Sequence, residues 1–253
     1  MKNMLVVAGA RSGIGKAYID YFQEESKIIG ITRTEQKYDN KNITNLICDL
    51  TNKDESDKLF DKTDFSRTER VILVHTVGID IFECKTYPKI NNINTINPLI
   101  YSTNVNTLKN VCDRLIEKLS QYRNNGKNIA LTIVMFGAIS DKYNIPFFMS
   151  FRESKKISKL YIENLTRKYN WVKGFVVNVS TVKTNLTTSI RPYADTKYWL
   201  LPREVVDKSV DKILNQKEHF EEIQIFKFDP NFESDYYFNN DKIYKKWIKE
   251  MYG

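Results

Sequence analysis

The feature that most constrains the fold of this chain is a regular alternation of apolar, β-branched runs with amphipathic stretches of helical length. Such runs are typical of strands buried on both faces, and their alternation with helices predicts a mainly parallel sheet covered on both sides. Strands are predicted at residues 4–8, 27–32, 45–48, 71–75, 129–136, 173–179 and 222–228. Helices are predicted at residues 16–24, 53–59, 99–122, 151–169 and 203–215. At 253 residues, the chain is expected to form one α/β domain, residues 1–253.

A glycine-rich segment, Ala8-Gly9-Ala10-Arg11-Ser12-Gly13-Ile14-Gly15, connects the first predicted strand to the first predicted helix. Glycines at this spacing let backbone N–H groups approach a pyrophosphate at the positive end of a helix, where larger side chains would intrude. The alternative is an ordinary left-handed turn between a strand and a helix. The position of the segment at the first strand–helix junction favours dinucleotide binding.

Composition narrows the classes of function. The formal charge is +8, but the lysines are scattered among Asn and Ile, which argues against nucleic-acid binding and for attraction of small anions. Cys48, Cys84 and Cys112 lie far apart, so neither a disulfide framework nor a metal site is predicted. No leader-like apolar region follows Met1 and no apolar run is long enough to cross a bilayer. We therefore expect a cytoplasmic protein with no membrane partner.

Several landmarks resemble, in order and spacing, those of the short-chain dehydrogenase/reductase superfamily, over nearly the whole chain to about Phe228. Gly9, Gly13 and Gly15 match the glycine-rich turn of that family, with Ala8 where a Thr is usual. The resemblance implies a single-domain Rossmann-type fold, a doubly wound parallel sheet of about seven strands, and a nicotinamide-dependent oxidoreductase. The predicted cofactor-binding residues are Gly9, Arg11, Ser12, Gly13, Ile14, Gly15, Arg33, Asp49, Leu50, Thr76, Gly78, Lys155 and Thr184.

Four of the matching positions take individual roles from this resemblance. Asp49 resembles the aspartate that contacts the adenine ring. His75-Thr76-Val77-Gly78 stands in place of the family's NNAG segment, of which only the glycine is kept. Asn104 resembles the asparagine of the central helix that supports a proton-relay water. Thr184 resembles the threonine that contacts the nicotinamide carboxamide, although Val179-Ser180 replaces the usual Pro-Gly.

The end of the second predicted strand indicates which nicotinamide cofactor is preferred. NAD-binding turns commonly place an acid there to hold the ribose 2′-hydroxyl, whereas arginine attracts a 2′-phosphate. Here the strand ends in Ile31-Thr32-Arg33, and Arg11 in the glycine turn is placed to reach the same phosphate. The sequence therefore favours NADP(H), the alternative being that both arginines are only solvated.

The catalytic positions depart from the family pattern. The family places a Tyr four residues before a Lys on one helical face, and a Ser about thirteen residues earlier. Here Lys155 is present, but Phe151 stands at the Tyr position and Ala138 at the Ser position. Loss of a general acid typically costs about 10²–10⁴-fold in rate, and loss of an oxyanion donor about 10²–10³-fold. By the family's usual route, the chain is expected to be a poor carbonyl reductase.

Three explanations of this departure stay open. The chain is an NADP(H)-responsive binding or partner protein on the same scaffold. Alternatively, it is an enzyme with a different acid, for which the candidates are Ser140, Tyr143, Ser150 or a water held by Lys155 and Asn104. The third explanation is that both hydroxyls were removed deliberately to trap a substrate, which the natural gene sequence at positions 138 and 151 would decide.

Expectations about the substrate come from a segment after the sixth strand, residues 180–202, where the family places a mobile lid. It carries Lys183, Arg191 and Lys197 against one acid, Asp195. An excess of positive charge over the pocket mouth suits a small phosphorylated or acidic substrate.

The C-terminal part of the chain predicts an extra helix, residues 241–252. Ile243, Trp247, Ile248 and Met251 share one face of it, with lysines opposite. This helix is expected to pack on the body of the chain or on a neighbouring subunit. Because the family usually pairs through helices that correspond to residues 99–122 and 151–169, a homodimer or homotetramer is expected.

Overall fold

The fold is built on one sheet of seven parallel strands. The structure, a computed structural model, describes residues 3–83, 96–140, 148–230 and 240–253. The strands are β1 (Asn3–Ala8), β2 (Lys27–Thr32), β3 (Ile43–Ile47), β4 (Arg70–His75), β5 (Ala130–Ala138), β6 (Val172–Val179) and β7 (Phe220–Ile225). Their order is β3-β2-β1-β4-β5-β6-β7, and each neighbouring pair is parallel. The predicted doubly wound, Rossmann-type α/β fold is confirmed.

Helices connect the strands and cover both faces of the sheet. In the described residues they are α1 (Gly13–Phe22), α2 (Lys53–Ser56), α3 (Pro98–Tyr101), α4 (Thr107–Asn124), α5 (Met149–Lys168), α6 (Asn185–Ile190), α7 (Pro202–Leu214) and α8 (Asn240–Tyr252). A π-helical segment, Ser102–Asn106, joins α3 to α4. The helix predicted at residues 99–122 is therefore present as α3, the π segment and α4, but the π segment was not predicted. Such segments often mark functional sites.

Burial on both faces explains why the strands read as continuous apolar runs. Along β1, Met4 and Val6 pack into a core on one face, and Leu5 and Val7 pack into a second core on the other. The first core includes side chains of α4 and α5, and the second includes side chains of α1 and α7. The sheet is thus held rigidly between two apolar layers, which fixes the loops at its carboxyl edge.

Some predicted bounds were wrong by a few residues. Helix α1 begins at Gly13, before the predicted start, because the glycine segment itself forms the first helical turn. Helix α2 ends earlier than predicted, at Ser56. The edge strands β3 and β7 begin before their predicted starts, because pairing with the neighbouring strand, rather than apolar content, decides where an edge strand begins.

Among the described residues, no helix is both long and apolar enough to traverse a bilayer.

Candidate cofactor and active site

The carboxyl edge of the sheet gathers most of the predicted site residues. Because all strands are parallel, the segments that follow them emerge at the same edge. The glycine turn follows β1, Arg33 follows β2, and Asp49 follows β3. The direction in which strands are added to the sheet reverses between β1 and β4, which are neighbours although two strands separate them in sequence. Ligands of doubly wound sheets bind at such a switch point.

The glycine turn is tightly packed against the residue after β4. Gly9 and Gly13 have φ of +88° and +58°, which favour glycine. A Cβ at Gly9 would lie 2.5 Å from the Thr76 hydroxyl, and one at Gly15 would collide with the Gly9 carbonyl oxygen. The Thr76 hydroxyl donates to the carbonyl oxygen of Ala8 at 2.9 Å. Thr76 therefore packs against the inner side of the glycine turn, and the outer side of the turn stays open.

The outer side of this turn is the N-terminus of α1. Within the described part of the chain, the Ser12 hydroxyl makes no capping hydrogen bond to this helix. Arg11 and Ser12 are exposed, and Gly13 and Ile14 are half-buried. Backbone N–H groups in the first turn of a helix lack intrahelical partners and carry partial positive charge. The turn thus has the chemistry of an anion site.

Two arginines and one carboxylate lie beside the turn. The Arg11 guanidinium contacts the Thr34 hydroxyl at 3.5 Å, which brings it next to exposed Arg33 at the end of β2. Hydrogen bonds from the Thr51 hydroxyl and N–H lower the pKa of Asp49, and the charge of Arg33 adds to this effect. Leu50 is buried, so only its backbone faces the edge, where its carbonyl accepts from Asn110 at 2.8 Å.

Asn104 makes hydrogen bonds to the segment after β4 and to helix α5. Its amide accepts from the N–H of Ile79 at 2.8 Å and donates to the carbonyl of Ile79 at 2.9 Å. It also lies 3.1 Å from the hydroxyl of Ser154 on α5. A Cβ at Gly78 would lie 3.4 Å from Asn104 and 3.9 Å from Lys155 Nζ. The structure thus brings Gly78, Asn104 and Lys155 into one cluster.

Phe151 and Ala138, which the family resemblance assigns to the missing hydroxyls, lie at the start of α5 and the end of β5. Lys155 Nζ lies 5.0 Å from the centre of the Phe151 ring, one helical turn away on α5. Ala138 is the last residue of β5 and pairs with Val179 of β6. Neither side chain can donate a proton.

The candidate substitute acids differ in their surroundings. Ser150 donates to the Glu83 carboxylate and accepts from the N–H of Asn97 at 2.9 Å, so its hydroxyl is occupied. Ser140 is buried, and its hydroxyl has no hydrogen-bond partner in the described residues. Tyr143 lies outside the described residues.

Asp80 is a site residue that the sequence analysis missed. Its Oδ1 is shielded from solvent and has no hydrogen-bond partner among the described residues. Burial, with a smaller contribution from the charge of Glu83, raises the pKa of Asp80 to about 8, although the N–H of Ile81 and the charges of Lys155 and Arg191 oppose the shift. An aspartate two residues after a glycine gives no sequence signal of burial, so only the structure reveals it.

His75, the last residue of β4, is a neutral structural residue. Burial, with a contribution from Lys155, lowers its pKa to about 3. Its Nε2 lies 3.0 Å from the Thr107 hydroxyl, which itself donates to the carbonyl of Thr103. The imidazole therefore donates to Thr107 and ties β4 to the π segment.

The predicted lid begins next to the glycine turn. A Cβ at Gly13 would lie 3.2 Å from Thr184 Cγ2, so Thr184 faces the turn. Further along, Arg191 forms a buried ion pair with Glu250 of α8 at 3.1 Å. The Arg191 guanidinium also lies 4.7 Å from the ring centres of both Trp199 and Trp247. Arg191 is therefore compensated by Glu250, which corrects the expectation that its charge adds to a positive pocket mouth.

Helix α8 covers the region of the catalytic positions. Ile243, Trp247 and Met251 are buried in a cluster with Ile139 and Phe148, and Phe151 packs against it. The predicted apolar face of this helix is confirmed for Ile243, Trp247 and Met251, whereas Ile248 is half-buried outside the cluster, and the helix packs on the body of the same chain. Trp247 therefore lies in the wall next to Phe151.

Comparison with known proteins gives the class of fold but no family assignment. No protein-family model and no curated protein sequence matches this chain. Solved structures do match, and they share the Rossmann-type fold of short-chain dehydrogenases and reductases.

Three of these structures hold nicotinamide cofactors. They are ElxO with NADP bound (16% identity, 89% of this chain and 98% of that chain, TM-score 0.69), the 3-ketoacyl-(acyl-carrier-protein) reductase of Brucella melitensis with NADH (15%, 88% and 96%, 0.70), and a short-chain dehydrogenase of Burkholderia cenocepacia with NADP (15%, 89% and 88%, 0.68). At this level of identity, the likeness establishes the fold.

Proposed function

We propose that this chain is an NADP(H)-dependent oxidoreductase that acts on a polar carbonyl or alcohol. The observation that carries the proposal is the joint placement of an uncapped helix start, two arginines and the Lys155 cluster along one edge of the sheet. The NADP, NADPH or NADH bound in structures of the same fold supports the choice of a nicotinamide cofactor.

The residues at this edge fit a dinucleotide. The open helix start at Gly13, Ile14 and Gly15 suits the pyrophosphate, because its N–H groups point outward and no side chain caps it within the described residues. In this proposal, Asp49 contacts the adenine, and Thr76, Gly78, Lys155 and Thr184 contact the ribose and nicotinamide. A bound nicotinamide would supply or accept a hydride.

Arg11 and Arg33 support NADP(H) over NAD(H). Both are exposed near the end of β2, where the 2′-substituent of the adenosine ribose binds in folds of this type. A guanidinium pairs well with a phosphate dianion, and such charge-assisted hydrogen bonds contribute roughly 1.5–3 kcal/mol each.

Calorimetric titration with NADPH and NADH tests the cofactor site. We expect Arg33→Ala to weaken NADPH binding by about tenfold or more and to leave NADH binding nearly unchanged. Arg67→Ala is the matched control, because Arg67 is also exposed but precedes β4, at the amino edge of the sheet. Equal losses for both cofactors in Arg33→Ala would contradict the 2′-phosphate role.

We propose a small anion as the substrate, on the basis of two exposed lysines in the lid segment. Lys183 and Lys197 are exposed in the lid segment, whereas Arg191 is paired with Glu250. An α-keto acid and its neutral ethyl ester make a matched pair of probes. Preference for the acid that fades as salt rises would support electrostatic selection, and equal turnover at all salt concentrations would contradict it.

The absence of hydroxyls at positions 138 and 151 gives a direct test of the oxidoreductase proposal. The double substitution Ala138→Ser and Phe151→Tyr would place a phenol within reach of Lys155 and a hydroxyl at the end of β5. We expect turnover with NADPH to rise by about 10²-fold or more. Unchanged turnover with intact NADPH binding would contradict the proposal that this cluster is the reacting site.

A non-catalytic NADP(H)-binding protein is the second candidate. The observation that favours it is the apolar cover of α8 over Phe151 and Ile139. Binding of NADPH without turnover, both before and after both hydroxyls are restored, would select this candidate.

Self-association and location in the cell follow from the same proposal. We propose a cytoplasmic location and a homodimer or homotetramer that pairs through α4 and α5. Leu160 on α5 is 55% exposed and would lie in that interface. Leu160→Glu should reduce the mass measured by light scattering if this surface pairs, and an unchanged mass would contradict it.

A further inference from the structure

The cluster around Lys155 contains one group able to supply the proton that Phe151 lacks. Asp80 lies in the segment after β4, on the far side of Ile79 from Gly78. Asn104 holds Ile79 through both its N–H and its carbonyl, at 2.8 and 2.9 Å. Gly78 is packed against Asn104 and near Lys155. The backbone that carries Asp80 is therefore fixed beside the catalytic positions rather than held loosely.

The carboxyl of Asp80 is buried without full compensation. Its Oδ1 is inaccessible to solvent and unpartnered among the described residues. The charged groups that face it are Lys155 on α5, Arg191 from the lid, and Glu83 on its own segment. A buried carboxyl with an unsatisfied oxygen favours its neutral form, and a neutral carboxylic acid carries a proton that it can donate.

Asp80 is better suited than the other candidates in the described residues. The Ser150 hydroxyl is engaged with Glu83 and Asn97. His75 is neutral, because burial lowers its pKa to about 3. Ser140 has an available hydroxyl, but no acidifying partner is shown beside it. Burial raises the pKa of Asp80 to about 8, close to the working pH that an efficient general acid requires.

We propose that the Asp80 carboxyl, held beside Lys155 by the Asn104–Ile79 contacts, is the proton donor that replaces the missing phenol. This inference rests on the proposed oxidoreductase function. In the reducing direction, the O–H bond of Asp80 breaks and its proton bonds to the substrate carbonyl oxygen, which takes the electron pair of the C=O π bond. A reduced nicotinamide bound at this edge would supply the hydride to the carbonyl carbon and would itself be oxidised. Asp80 is left as a carboxylate next to Lys155 and regains a proton from water.

The first part of the test does not require cofactor or substrate. Infrared difference spectra are recorded on the full-length protein between pH 6 and 10, and the C=O stretch of a protonated carboxylic acid is followed. We expect a band that disappears with a midpoint near pH 8 and is absent in Asp80→Asn. Asp207→Asn, which alters an exposed ion pair on α7, is the matched control and should keep the band. A band that persists in Asp80→Asn would overturn the proposal.

The second part measures binding and turnover with NADPH and the neutral α-keto ester. Asp80→Asn should keep its NADPH affinity and lose about 10²-fold or more in kcat. Adding Phe151→Tyr to Asp80→Asn should restore turnover, because the phenol then supplies the proton. NADPH-dependent turnover in Asp80→Asn within threefold of the parent would overturn the role of Asp80 alone. Failure of the parent to bind NADPH, or to turn over the ester, would instead overturn the proposed function and this inference with it.

Discussion

At the scale of single residues, the buried carboxyl of Asp80 makes stability depend on pH. Its pKa is about 8 in the folded chain and near 3.8 when unfolded, so the unfolded chain loses this proton at lower pH. Between these values the free energy of unfolding falls as pH rises, by up to about 1.4 kcal/mol per pH unit from this group. The groups that set the shift, besides burial, are Glu83, Lys155, Arg191 and the N–H of Ile81.

Asp80→Asn should therefore stabilise the chain at pH 8 relative to the parent, and less so or not at all at pH 4. The amide cannot ionise, whereas the parent carboxyl has to remain protonated in the folded state. Calorimetric unfolding at the two pH values measures the difference. A Tm difference between the two proteins that is the same at both pH values would contradict the shifted titration.

Gly15 is the second residue considered at this scale, because an added Cβ atom there would disrupt the glycine turn. An added Cβ would collide with the Gly9 carbonyl oxygen and lie 2.8 Å from the Thr76 hydroxyl, all in a fixed turn. We expect Gly15→Ala to lower the free energy of unfolding by about 1–3 kcal/mol in urea titrations and to weaken NADPH binding. Gly126→Ala is the control for NADPH affinity, because its new Cβ meets no atom within 4 Å and only the strain of its φ of +83° remains, far from the turn in sequence. Similar NADPH affinity in Gly15→Ala and the parent would contradict a role for the turn.

At the scale of elements, the lid segment and α8 are joined through Arg191. Its guanidinium lies between Trp199 and Trp247, pairs with Glu250, and donates to the Thr181 hydroxyl at 2.8 Å. The contacts with Trp247 and Glu250 join the lid segment to α8, and those with Thr181 and Trp199 lie within the lid segment itself. The lid segment is thus fastened to the C-terminal helix rather than standing open over the site.

Arg191→Met should lower the free energy of unfolding by about 3 kcal/mol, because it removes the buried ion partner of the Glu250 carboxylate. Lys246, at 3.6 Å, then remains as the ion partner of Glu250 among the described residues. Glu250→Gln in the same chain should recover part of that loss. A double-mutant cycle by urea denaturation measures the interaction energy. Strict additivity of the two substitutions would show that the ion pair contributes nothing.

At the scale of the whole molecule, α8 encloses the end of the sheet where the catalytic positions lie. The ring centre of Trp247 lies 5.4 Å from that of Phe148 in a tilted arrangement, and Trp247 belongs to the cluster that packs on Phe151. Trp247→Ala should lower the free energy of unfolding by about 3 kcal/mol and change KM for the keto ester. It should leave NADPH affinity unchanged, because the glycine turn lies elsewhere on the carboxyl edge. A large loss of NADPH affinity would contradict this separation of cofactor and substrate regions.

The sequence alone determined the class of fold and the position of the turn. Strands buried on both faces are apolar throughout, so six of the seven strands and their parallel arrangement could be predicted from local sequence with small errors. The edge strand β3 is less apolar and was predicted less fully. The glycine turn was equally local, because its φ values and close approach require residues without a side chain. The assignment of Ala138 and Phe151 to the hydroxyl positions rests on spacing and stays a prediction.

Only the tertiary structure decided how the site is charged and enclosed. Arg191 and Glu250 are 59 residues apart, and nothing in either segment specifies the other. Asp80 reads as an ordinary loop aspartate, and its raised pKa arises because burial removes water from its carboxyl. The cover of α8 over Phe151 likewise depends on where the chain returns after β7. Desolvation and long-range pairing are set by neighbours in space, whereas a sequence pattern reports only neighbours along the chain.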